Sequence, residues 1–216
     1  MKKALLLQLN ILIIIVLFNG FADCATLKSP ISVQSSSTKE TGIGSLFADA
    51  IRSYTRSDIA IISANEIKVE SEYIDAGEIN LETLRKYVSF TDDYIVKLNI
   101  KGSDIKSALE RSVSIYPKPN MGFLQVSGLV FEFDSSKFAD SRILSVKVNG
   151  EYIDSDKLYT VSMTNSLANG ALGYWKFWNI KQLNTKYDKT LIDVIELYIN
   201  AKSDLDYSSE NRITKK

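Results

Sequence analysis

The side chains that could perform chemistry include no histidine, since none of the 216 residues is one. Imidazole is the usual general base of serine and cysteine catalytic triads, and it is a common ligand in zinc sites and two-metal phosphoesterase centres. These mechanisms are therefore excluded for the chain by itself. Catalysis would have to rely on carboxylates, lysines or serines alone.

Two Ser-x-x-Lys pairs are candidates among those residue types, Ser36 with Lys39 and Ser103 with Lys106. Serine acyl-transferases combine this pair with Ser-Asp-Asn and Lys-Thr-Gly elements, and the sequence contains neither element. Ser103 also precedes a helical pattern, where a serine side chain commonly accepts a hydrogen bond from a backbone N–H group. We therefore interpret Ser103 as a helix cap rather than a nucleophile.

Neighbouring acids can coordinate a hard cation through oxygen, and Asp92 with Asp93 is such a pair. Adjacent acids on a loop are more often solvated, so no metal site is predicted there. The glycine-rich motifs that cradle phosphate groups are also absent from the sequence. The sequence accordingly predicts no catalytic residue, no metal ligand and no cofactor.

The charge pattern gives no indication of a nucleic-acid partner. Basic and acidic residues number 26 each. Removing residues 1–22 would leave a formal charge of −2, because Lys2 and Lys3 are the only charged residues there. Lys and Arg are scattered along the rest of the chain, with no long basic run, so the charges are expected to form a solvated surface.

The first 24 residues are predicted to be a signal peptide. Two lysines precede the apolar run "ALLLQLNILIIIVLF", and the stretch "NGFADCA" follows it. Polar residues interrupt this run, and a membrane span needs about 20 apolar residues, so no stable span is expected. Cleavage is predicted after Ala22 or after Cys24, with an uncleaved anchor as the alternative, and the mature protein is expected in the periplasm or outside the cell.

Cys24 is the only cysteine, so the chain can form neither an internal disulfide nor a cysteine metal site. Its position at the end of the signal peptide also raises the alternative of a lipid anchor. Lipoprotein signals resemble a small residue directly before the cysteine, whereas Asp23 stands there. The lipid anchor is therefore disfavoured.

The remaining chain is long enough for one domain, since a chain of this size buries roughly 70% of its unfolded surface. Residues 25–39 are rich in Ser and Thr and contain Pro30, which predicts an exposed lead-in. The domain itself is predicted to cover residues 40–213.

Apolar periodicity predicts the elements of this domain. Helices are predicted over "GIGSLFADAIRSYT", "DIKSALERSVSIY" and "TLIDVIELYINA", and a turn with a short helix over "AGEINLETLRKYV". Strands are predicted at "DIAIIS", "YIVKLNI", "LVFEF", "ILSVKV" and "LYTVSM", with a turn around "NGEYIDSD" joining the last two. Because the two types do not alternate regularly, the fold class is mixed α/β, nearer α+β than a doubly wound sheet.

The ordered segments resemble one family, the C-terminal domain of the secreted 5'-nucleotidases and UDP-sugar hydrolases. "ETGIGSLFADAIR" is similar to the family's Glu-Thr-Asn-x-Gly-Asn-Leu-x-x-Asp-Ala pattern, and "DIAIISANEIK" to its run ending in Asn-x-Gly-Gly-Ile-Arg. "LYTVSMTNSLANGALGY" is similar to Thr-Val-x-x-x-x-Phe-Leu-Ala-x-Gly-Gly-Asp-Gly-Tyr/Phe. The further matches are "AGEINLETLRKYVSF", "IKGSDIKSALERSVSIYP", "GFLQVSGLVFEFD" and "SSENRI". Together the matches cover residues 37–213.

The resemblance implies that this domain binds the nucleotide, whereas a separate calcineurin-like domain of complete members carries two metals and the catalytic His and Asp. That other domain is expected to be absent here. The family holds the base between two Phe rings, and each stacking contact in nucleic-acid systems is worth about 1–3 kcal/mol. Phe90 matches the first ring, but Ser166 matches the second and offers no aromatic face.

Most other ligand positions are altered as well. Ser63 matches the family's Asn, and Lys68 matches its Arg, keeping the charge without the bidentate fork. Leu172 matches the Asp of the glycine-rich loop, and Ala171 replaces a Gly, which predicts less freedom at positive φ. Ser37 matches an upstream Arg.

The loop's scaffold residues are kept, and the aromatic residues that end it are ambiguous. Core or domain-contact packing is favoured over a new stacking platform for four of them, Tyr174, Trp175, Phe177 and Trp178. Asn65 and Glu66 match two glycines of the family pattern. The candidate ligand-binding residues are Ser63, Lys68, Phe90, Ser166 and Tyr174, for a nucleotide or nucleoside bound weakly.

Three functions are compatible with this pattern. The favoured hypothesis is an exported, non-catalytic binding domain with an altered nucleotide site. The first alternative is the substrate-binding subunit of a split 5'-nucleotidase that works with a separate metallophosphatase chain. The second is an envelope protein that uses the old ligand face for protein contact, which an exposed apolar patch at Ser166 and Leu172 would favour. No enzymatic activity is expected from the chain on its own.

Overall fold

A computed structural model describes residues 24–208 and 211–216. The signal peptide predicted for residues 1–24 therefore lies outside the described residues, apart from the backbone of Cys24. Within the described ranges, no helix is long and apolar enough to cross a membrane.

The described residues form five α-helices, several short 3₁₀ turns and a larger set of strands. The helices are α1 (Gly42–Thr55), α2 (Leu81–Arg85), α3 (Gly102–Val113), α4 (Asn165–Ala168) and α5 (Leu191–Asn200). The strands are β1 (Cys24–Leu27), β2 (Ile31–Ser32), β3 (Ile59–Ser63), β4 (Tyr73–Ile74), β5 (Gly77–Asn80), β6 (Tyr94–Lys101), β7 (Leu124–Ser127), β8 (Leu129–Phe133), β9 (Ile143–Val148), β10 (Glu151–Tyr152), β11 (Leu158–Thr164), β12 (Leu183–Thr190), β13 (Asp204–Leu205) and β14 (Ile213–Lys215).

The central sheet positions the rest of the molecule. Its five strands lie in the order β12-β6-β11-β3-β7. β3 runs parallel to β11, whereas β6 is antiparallel to β11 and β7 is antiparallel to β3. The carboxyl ends of β3 and β11 therefore meet the amino end of β6 at one edge. This mixed sheet confirms the predicted α+β class.

Both faces of the central sheet are covered, because its strands carry apolar residues on each side. Along β3, Ala60 and Ile62 belong to the core under α1 and α5, while Ile59 and Ile61 belong to a second core. The second core also contains residues of α3 and of a four-stranded sheet in the order β10-β9-β8-β14. A strand that is buried on both faces reads as a continuous apolar run, which is how "IAIIS" appears.

Helix α1 forms where the apolar spacing predicts it. Ile43, Leu46, Phe47 and Ala50 recur at helical intervals, and each is fully buried. The helix begins after Thr41, whose hydroxyl accepts a hydrogen bond from the N–H of Gly44 at 3.3 Å. The prediction of this helix is confirmed, as are the predictions of α3 and α5 and of the five predicted strands.

The segment 25–39 is not an exposed lead-in, so that prediction is wrong. Ala25, Leu27, Ile31 and Val33 are exposed by only 2%, 1%, 1% and 0%. β1 pairs with β5 and with β13. Its apolar residues alternate with polar ones, which is the two-residue period of a strand with one buried face. The Ser and Thr content of the segment is typical of a loop, and the prediction relied on that composition rather than on the alternation.

Ser103 is not the N-cap of α3, which corrects a second prediction. The helix begins at Gly102, its N-cap is Lys101, and Ser103 lies inside it without a capping hydrogen bond. The N–H of Ser103 donates to the carbonyl of Ser155 at 3.0 Å. The carbonyl of Ser155 therefore accepts a hydrogen bond from the first turn of the helix, which is the role predicted for the side chain of Ser103.

The turn predicted between "ILSVKV" and "LYTVSM" connects two different sheets rather than a hairpin. β9 pairs with β10 and β8, whereas β11 pairs with β3 and β6. The short strand β10 lies within the predicted turn. β5 also extends over "GEIN", where a turn was expected.

Candidate functional site

A small cavity lies at the edge where β3 and β11 end and β6 begins. Its volume is about 130 Å³. Ligand pockets in proteins usually measure roughly 300–1,000 Å³, so this cavity can enclose one ring of a ligand and leaves the rest in solvent. The residues that line it are Ser63, Asn65, Glu66, Phe90, Asp93, Thr164, Ser166, Leu167, Ala171 and Leu172.

A buried carboxylate, Glu66, forms one wall of the cavity. Its Oε2 accepts hydrogen bonds from the N–H of Ser63 at 2.6 Å and from the Ser63 hydroxyl at 2.8 Å. Its Oε1 accepts a hydrogen bond from the Thr164 hydroxyl. The contacts with Ser63 form a capping box around the 3₁₀ turn Ala64–Glu66, and this box fixes the position of the carboxylate.

Burial raises the pKa of the Glu66 carboxyl to about 6, because the charged form loses its hydration. The hydrogen bonds from Thr164 and Ser63 act in the opposite direction, and the negative charge of Asp93 adds a small further increase. Glu66 therefore changes its protonation state in a mildly acidic range of pH, with its carboxylate at the wall of the cavity.

Phe90 and Asp93 lie on the loop that leads into β6. Phe90 is 46% exposed and lines the cavity, so its ring is accessible to a ligand. The preceding Ser89 donates its N–H to the carbonyl of Glu66 at 3.0 Å, which ties this loop to the buried carboxylate. Both carboxylate oxygens of Asp93 accept from the N–H of Ser166 at 3.3 Å.

The loop after α4 closes the cavity with an unusual backbone. Leu172 has φ 59° and ψ 21°, a left-handed conformation that a side chain such as Leu seldom adopts. Gly170 and Gly173 on either side also have positive φ. Arg111 donates to the carbonyl of Leu172 at 2.9 Å and holds the loop in place. Ala171 does not have a positive φ, so the backbone strain that was predicted for Ala171 occurs at Leu172 instead.

Tyr174 does not face the cavity, and its assignment as a ligand-binding residue is wrong. Its side chain is fully buried, with 0% exposure. The ring stacks on Trp178 with centroids 4.9 Å apart, and its hydroxyl donates to the carbonyl of Gly122. Burial raises the pKa of this hydroxyl. The alternative interpretation, core packing, is therefore confirmed for Tyr174.

Lys68 and Ser37 also lie away from the lining of the cavity. The ammonium group of Lys68 pairs with Glu70 at the surface, and its N–H donates to the carbonyl of Tyr87 at 2.8 Å. Ser37 accepts the N–H of Asn120 through its carbonyl at 3.0 Å. Ile67 is buried in the core and pairs with Val88, whereas Lys68 is exposed.

Three of the five predicted ligand-binding residues, Ser63, Phe90 and Ser166, therefore come together around the cavity. Reasoning from the sequence missed the buried role of Glu66 and the contribution of Thr164. The spacing Ser63-x-x-Glu66 is that of a capping box and was the available signal for Glu66. Thr164 carried no local signal, because it meets Glu66 only through the pairing of the strands.

The lining carries two carboxylates, Glu66 and Asp93, and no Lys or Arg. This combination favours a ligand with N–H donors over one that brings phosphate groups into the cavity, since like charges repel strongly where water is scarce. Within residues 24–208 and 211–216, no group of three carboxylates or cysteines is placed to hold a metal ion. Asp93 instead contacts the backbone of α4.

Comparisons with known proteins identify the family of the chain. The family model described as "5'-nucleotidase, C-terminal domain" matches residues 21–178. The 5'-nucleotidase of Bos taurus is 27% identical over 202 residues, which are 84% of this chain and 34% of the bovine protein. The trifunctional nucleotide phosphoesterase protein YfkN of Bacillus subtilis is 30% identical over 149 residues, 65% of this chain and 10% of that protein. These matches confirm the resemblance seen in the motifs.

A solved structure shows the same similarity in three dimensions. The 5'-nucleotidase precursor from Thermus thermophilus superposes with a TM-score of 0.79 at 27% identity. The match covers 88% of this chain and 39% of that structure. The chain thus spans about a third of the length of the bovine enzyme and two fifths of the bacterial one.

Proposed function

The chain belongs to the 5'-nucleotidase C-terminal domain family, and on this premise we propose that it is an exported, non-catalytic domain that weakly binds a ligand of the nucleoside type. The observation that carries the proposal is the cavity beside Phe90. The segments that match the family motifs supply residues to this cavity. Its lining nevertheless differs from the pattern of the family at Ser63, Ser166 and Leu172.

Weak binding follows from the single aromatic face. Phe90 can stack on one side of a ring, and Ser166 supplies no partner for the other side. Stacking on an aromatic side chain contributes about 1–3 kcal/mol per base in nucleic-acid complexes. One such contact by itself corresponds to a weak complex, because association also costs translational and rotational freedom.

A neutral nucleoside fits the charge of the cavity better than a nucleotide does. Glu66 and Asp93 can accept hydrogen bonds from N–H groups of a base, while a phosphate placed near them would be repelled. Lys68, the cation that the family resemblance assigned to the ligand, is paired with Glu70 away from the lining. The proposal therefore places any phosphate outside the cavity.

The absence of histidine from the sequence supports a non-catalytic role. The chemistry implied by the family uses a catalytic His and two metals, and none of the 216 residues can provide the imidazole. Export is supported by the signal-peptide pattern at the amino terminus.

Binding can be tested by thermal shift and by calorimetric titration of the mature protein with adenosine, uridine, AMP and UDP-glucose, since a ligand of the folded state raises its stability. Phe90→Ala should weaken nucleoside binding by about tenfold, the equivalent of one lost stacking contact. The matched control is Phe138→Ala, because Phe138 is 91% exposed and lies elsewhere. Ser166→Phe, which adds the second ring, should tighten binding.

Two results would overturn the proposal. One is equal binding by the wild type, Phe90→Ala and Phe138→Ala. The other is release of phosphate from AMP or UDP-glucose by the purified chain with added divalent metal ions.

A split enzyme is the second candidate, and the length of the relatives favours it. The chain matches about a third of the bovine 5'-nucleotidase, so a separately encoded metallophosphatase chain could supply the remainder. Mixing this protein with such a chain should then produce 5'-nucleotidase activity that neither has alone. Lack of both activity and co-purification would count against it. Protein contact at the ligand face has less support, because Leu172 is only partly exposed and packs against the second core.

A further inference from the structure

A second concave region lies at the other end of β3 and β7. It consists of two adjoining depressions of about 280 Å³ and 490 Å³ that share Asp49, Arg52 and Ser127. Ser127 pairs with Ala60 near the start of β3, whereas Ser63 at the end of β3 belongs to the cavity described above. Ala60 and Ser63 are three residues apart along β3, which corresponds to roughly 10 Å of strand. We refer to the two depressions together as the basic groove.

Helix α1 supplies one wall of the basic groove. Asp49, Arg52, Ser53 and Arg56 recur at intervals of three and four residues and line the groove along one face of the helix. The other walls bring in cations from distant parts of the chain. These are Lys147 of β9 and Arg212 in the first depression and Lys202, after α5, in the second.

Arg52 lies between the two depressions in a fixed position. Its Nε donates to the carbonyl of Asp58 at 3.1 Å, and its second terminal nitrogen donates to Oδ1 of Asn149 at 2.8 Å. Gly128 makes this placement possible, since a Cβ atom there would lie 2.4 Å from Nε of Arg52. A guanidinium held in this way binds an anion without first losing its conformational freedom.

Among the described residues, the cations that line the groove outnumber the carboxylates that line it. Arg212 is paired with Asp49, the acidic residue of the lining, at 2.9 Å. In the part of the chain that the structure describes, Arg52, Arg56, Lys147 and Lys202 form no ion pair with a carboxylate. The carboxyl end of the α1 dipole attracts Arg52 and Arg56, but its partial charge of about −0.5 does not balance four cations.

We propose that the basic groove binds a multiply charged phosphate compound, with anionic groups in both depressions and Arg52 between them. Guanidinium groups form paired, charge-assisted hydrogen bonds with phosphate oxygens, and lysines add point charges. The hydroxyls of Ser53, Ser57 and Ser127 line the same surface. This site does not depend on the function proposed for the Phe90 cavity. Its ligand is a soluble oligophosphate or the phosphorylated headgroup of a lipid, which share this chemistry.

The test is calorimetric titration of the protein with tripolyphosphate, together with sedimentation using vesicles of phosphatidylcholine with and without phosphatidic acid. Arg56→Ala/Lys202→Ala should weaken binding about tenfold or more, since hydrogen bonds to charged groups are lost. The matched control is Lys106→Ala/Lys118→Ala, which removes the same charge from exposed positions outside the groove. Lys147→Ala provides a second variant on the opposite wall, and circular dichroism verifies that each variant is folded.

Tripolyphosphate binding that is weakened by the groove variants and not by the control supports the proposal with a soluble ligand. Binding to phosphatidic acid vesicles alone, with the same dependence on Arg56 and Lys202, supports it with a lipid headgroup. Equal weakening in groove and control variants would mean that binding follows net charge, and this overturns the proposal. Absence of binding to both probes overturns it as well.

Discussion

The two ends of the central sheet carry charge in different ways. At the end where β3 and β11 finish, the carboxylate of Glu66 is buried and accepts hydrogen bonds from Ser63 and Thr164. At the opposite end, Arg56 and Lys202 are exposed at the wall of an open groove. The same strands thus support an enclosed acidic site and an open basic one.

This difference shows how solvent decides the cost of a charge. An enclosed carboxylate loses its hydration, so its ionisation lowers the stability of the fold even when hydrogen bonds compensate in part. Exposed cations stay hydrated, and their mutual repulsion is screened by salt. We therefore expect pH to have the main effect on stability at the acidic end. At the basic end, we expect packing and ionic ligands to have the main effect on stability.

The largest expected effect lies at the basic end, at Gly128. This residue has φ +74°, and a Cβ atom there would lie 2.2 Å from the carbonyl oxygen of Asp58. Gly128→Ala should destabilise the protein by about 2–4 kcal/mol, because backbone strain and a steric clash combine. Gly150→Ala is the matched control, since Gly150 has φ +89° with nothing within 4 Å of the added atom. Urea unfolding would measure both free energies.

Gly150→Ala should lower the free energy of unfolding only by the backbone strain, about 1–2 kcal/mol. Equal free energies of unfolding for the two variants would show that the close approach of Arg52 and Asp58 to Gly128 does not constrain the basic end.

A pH effect is expected at the acidic end, from Glu66. Its pKa in the folded protein is about 6, compared with 4.5 for the free side chain, so the folded state holds its proton more tightly than the unfolded state. Its contribution to stability is therefore greatest below pH 4.5 and falls as the pH rises to about 6. This difference between the folded and unfolded pKa values corresponds to about 2 kcal/mol in the free energy of unfolding.

Glu66→Gln should remove this dependence. The free energy of unfolding of the variant, minus that of the wild type, should increase by about 2 kcal/mol between pH 4 and pH 7. Glu78→Gln, at an exposed position, should leave the pH profile of the wild type unchanged. Parallel profiles for wild type and Glu66→Gln would rule out the penalty that we assign to burial.

The smallest effect is expected at Leu172, in the loop that closes the acidic cavity. Because its φ is 59°, glycine should be preferred to alanine at this position. Leu172→Gly should be more stable than Leu172→Ala by about 1 kcal/mol, the reverse of the usual order of the two residues. Both variants lose the same packing of the leucine side chain, so their difference isolates the backbone. Thermal unfolding with Leu172→Ala as the more stable variant would contradict the left-handed assignment.

The helices and most core strands of this protein could be predicted from its sequence. In α5, Thr190 and Asp193 form a capping box, and Leu191, Val194 and Ile195 share one buried face. Both signals depend on residues within one or two turns of each other, which makes them readable without a structure. The segment 25–39 was misread because its composition resembles a loop, while its burial depends on β5 and β13.

The candidate site could be predicted only in part, for a related reason. Ser63, Phe90 and Ser166 belong to three different family motifs, and the structure places them around one cavity. Tyr174 belongs to the same motif as Ser166, but its direction follows from packing against Trp178 rather than from its position in the sequence. The motifs thus predicted the segments that form the site but not the direction of each side chain.

The sequence by itself determined the amphipathic faces of the helices, the mixed α/β class and the lack of imidazole chemistry, because these depend on local spacing and on composition. The tertiary structure decided which charges share a site. Thr164 reaches Glu66 across 98 residues of sequence, and Lys147 joins Arg52 in one depression although the sequence separates them widely. Hydration and Coulomb energies depend on distance in space, and only the packed strands set those distances.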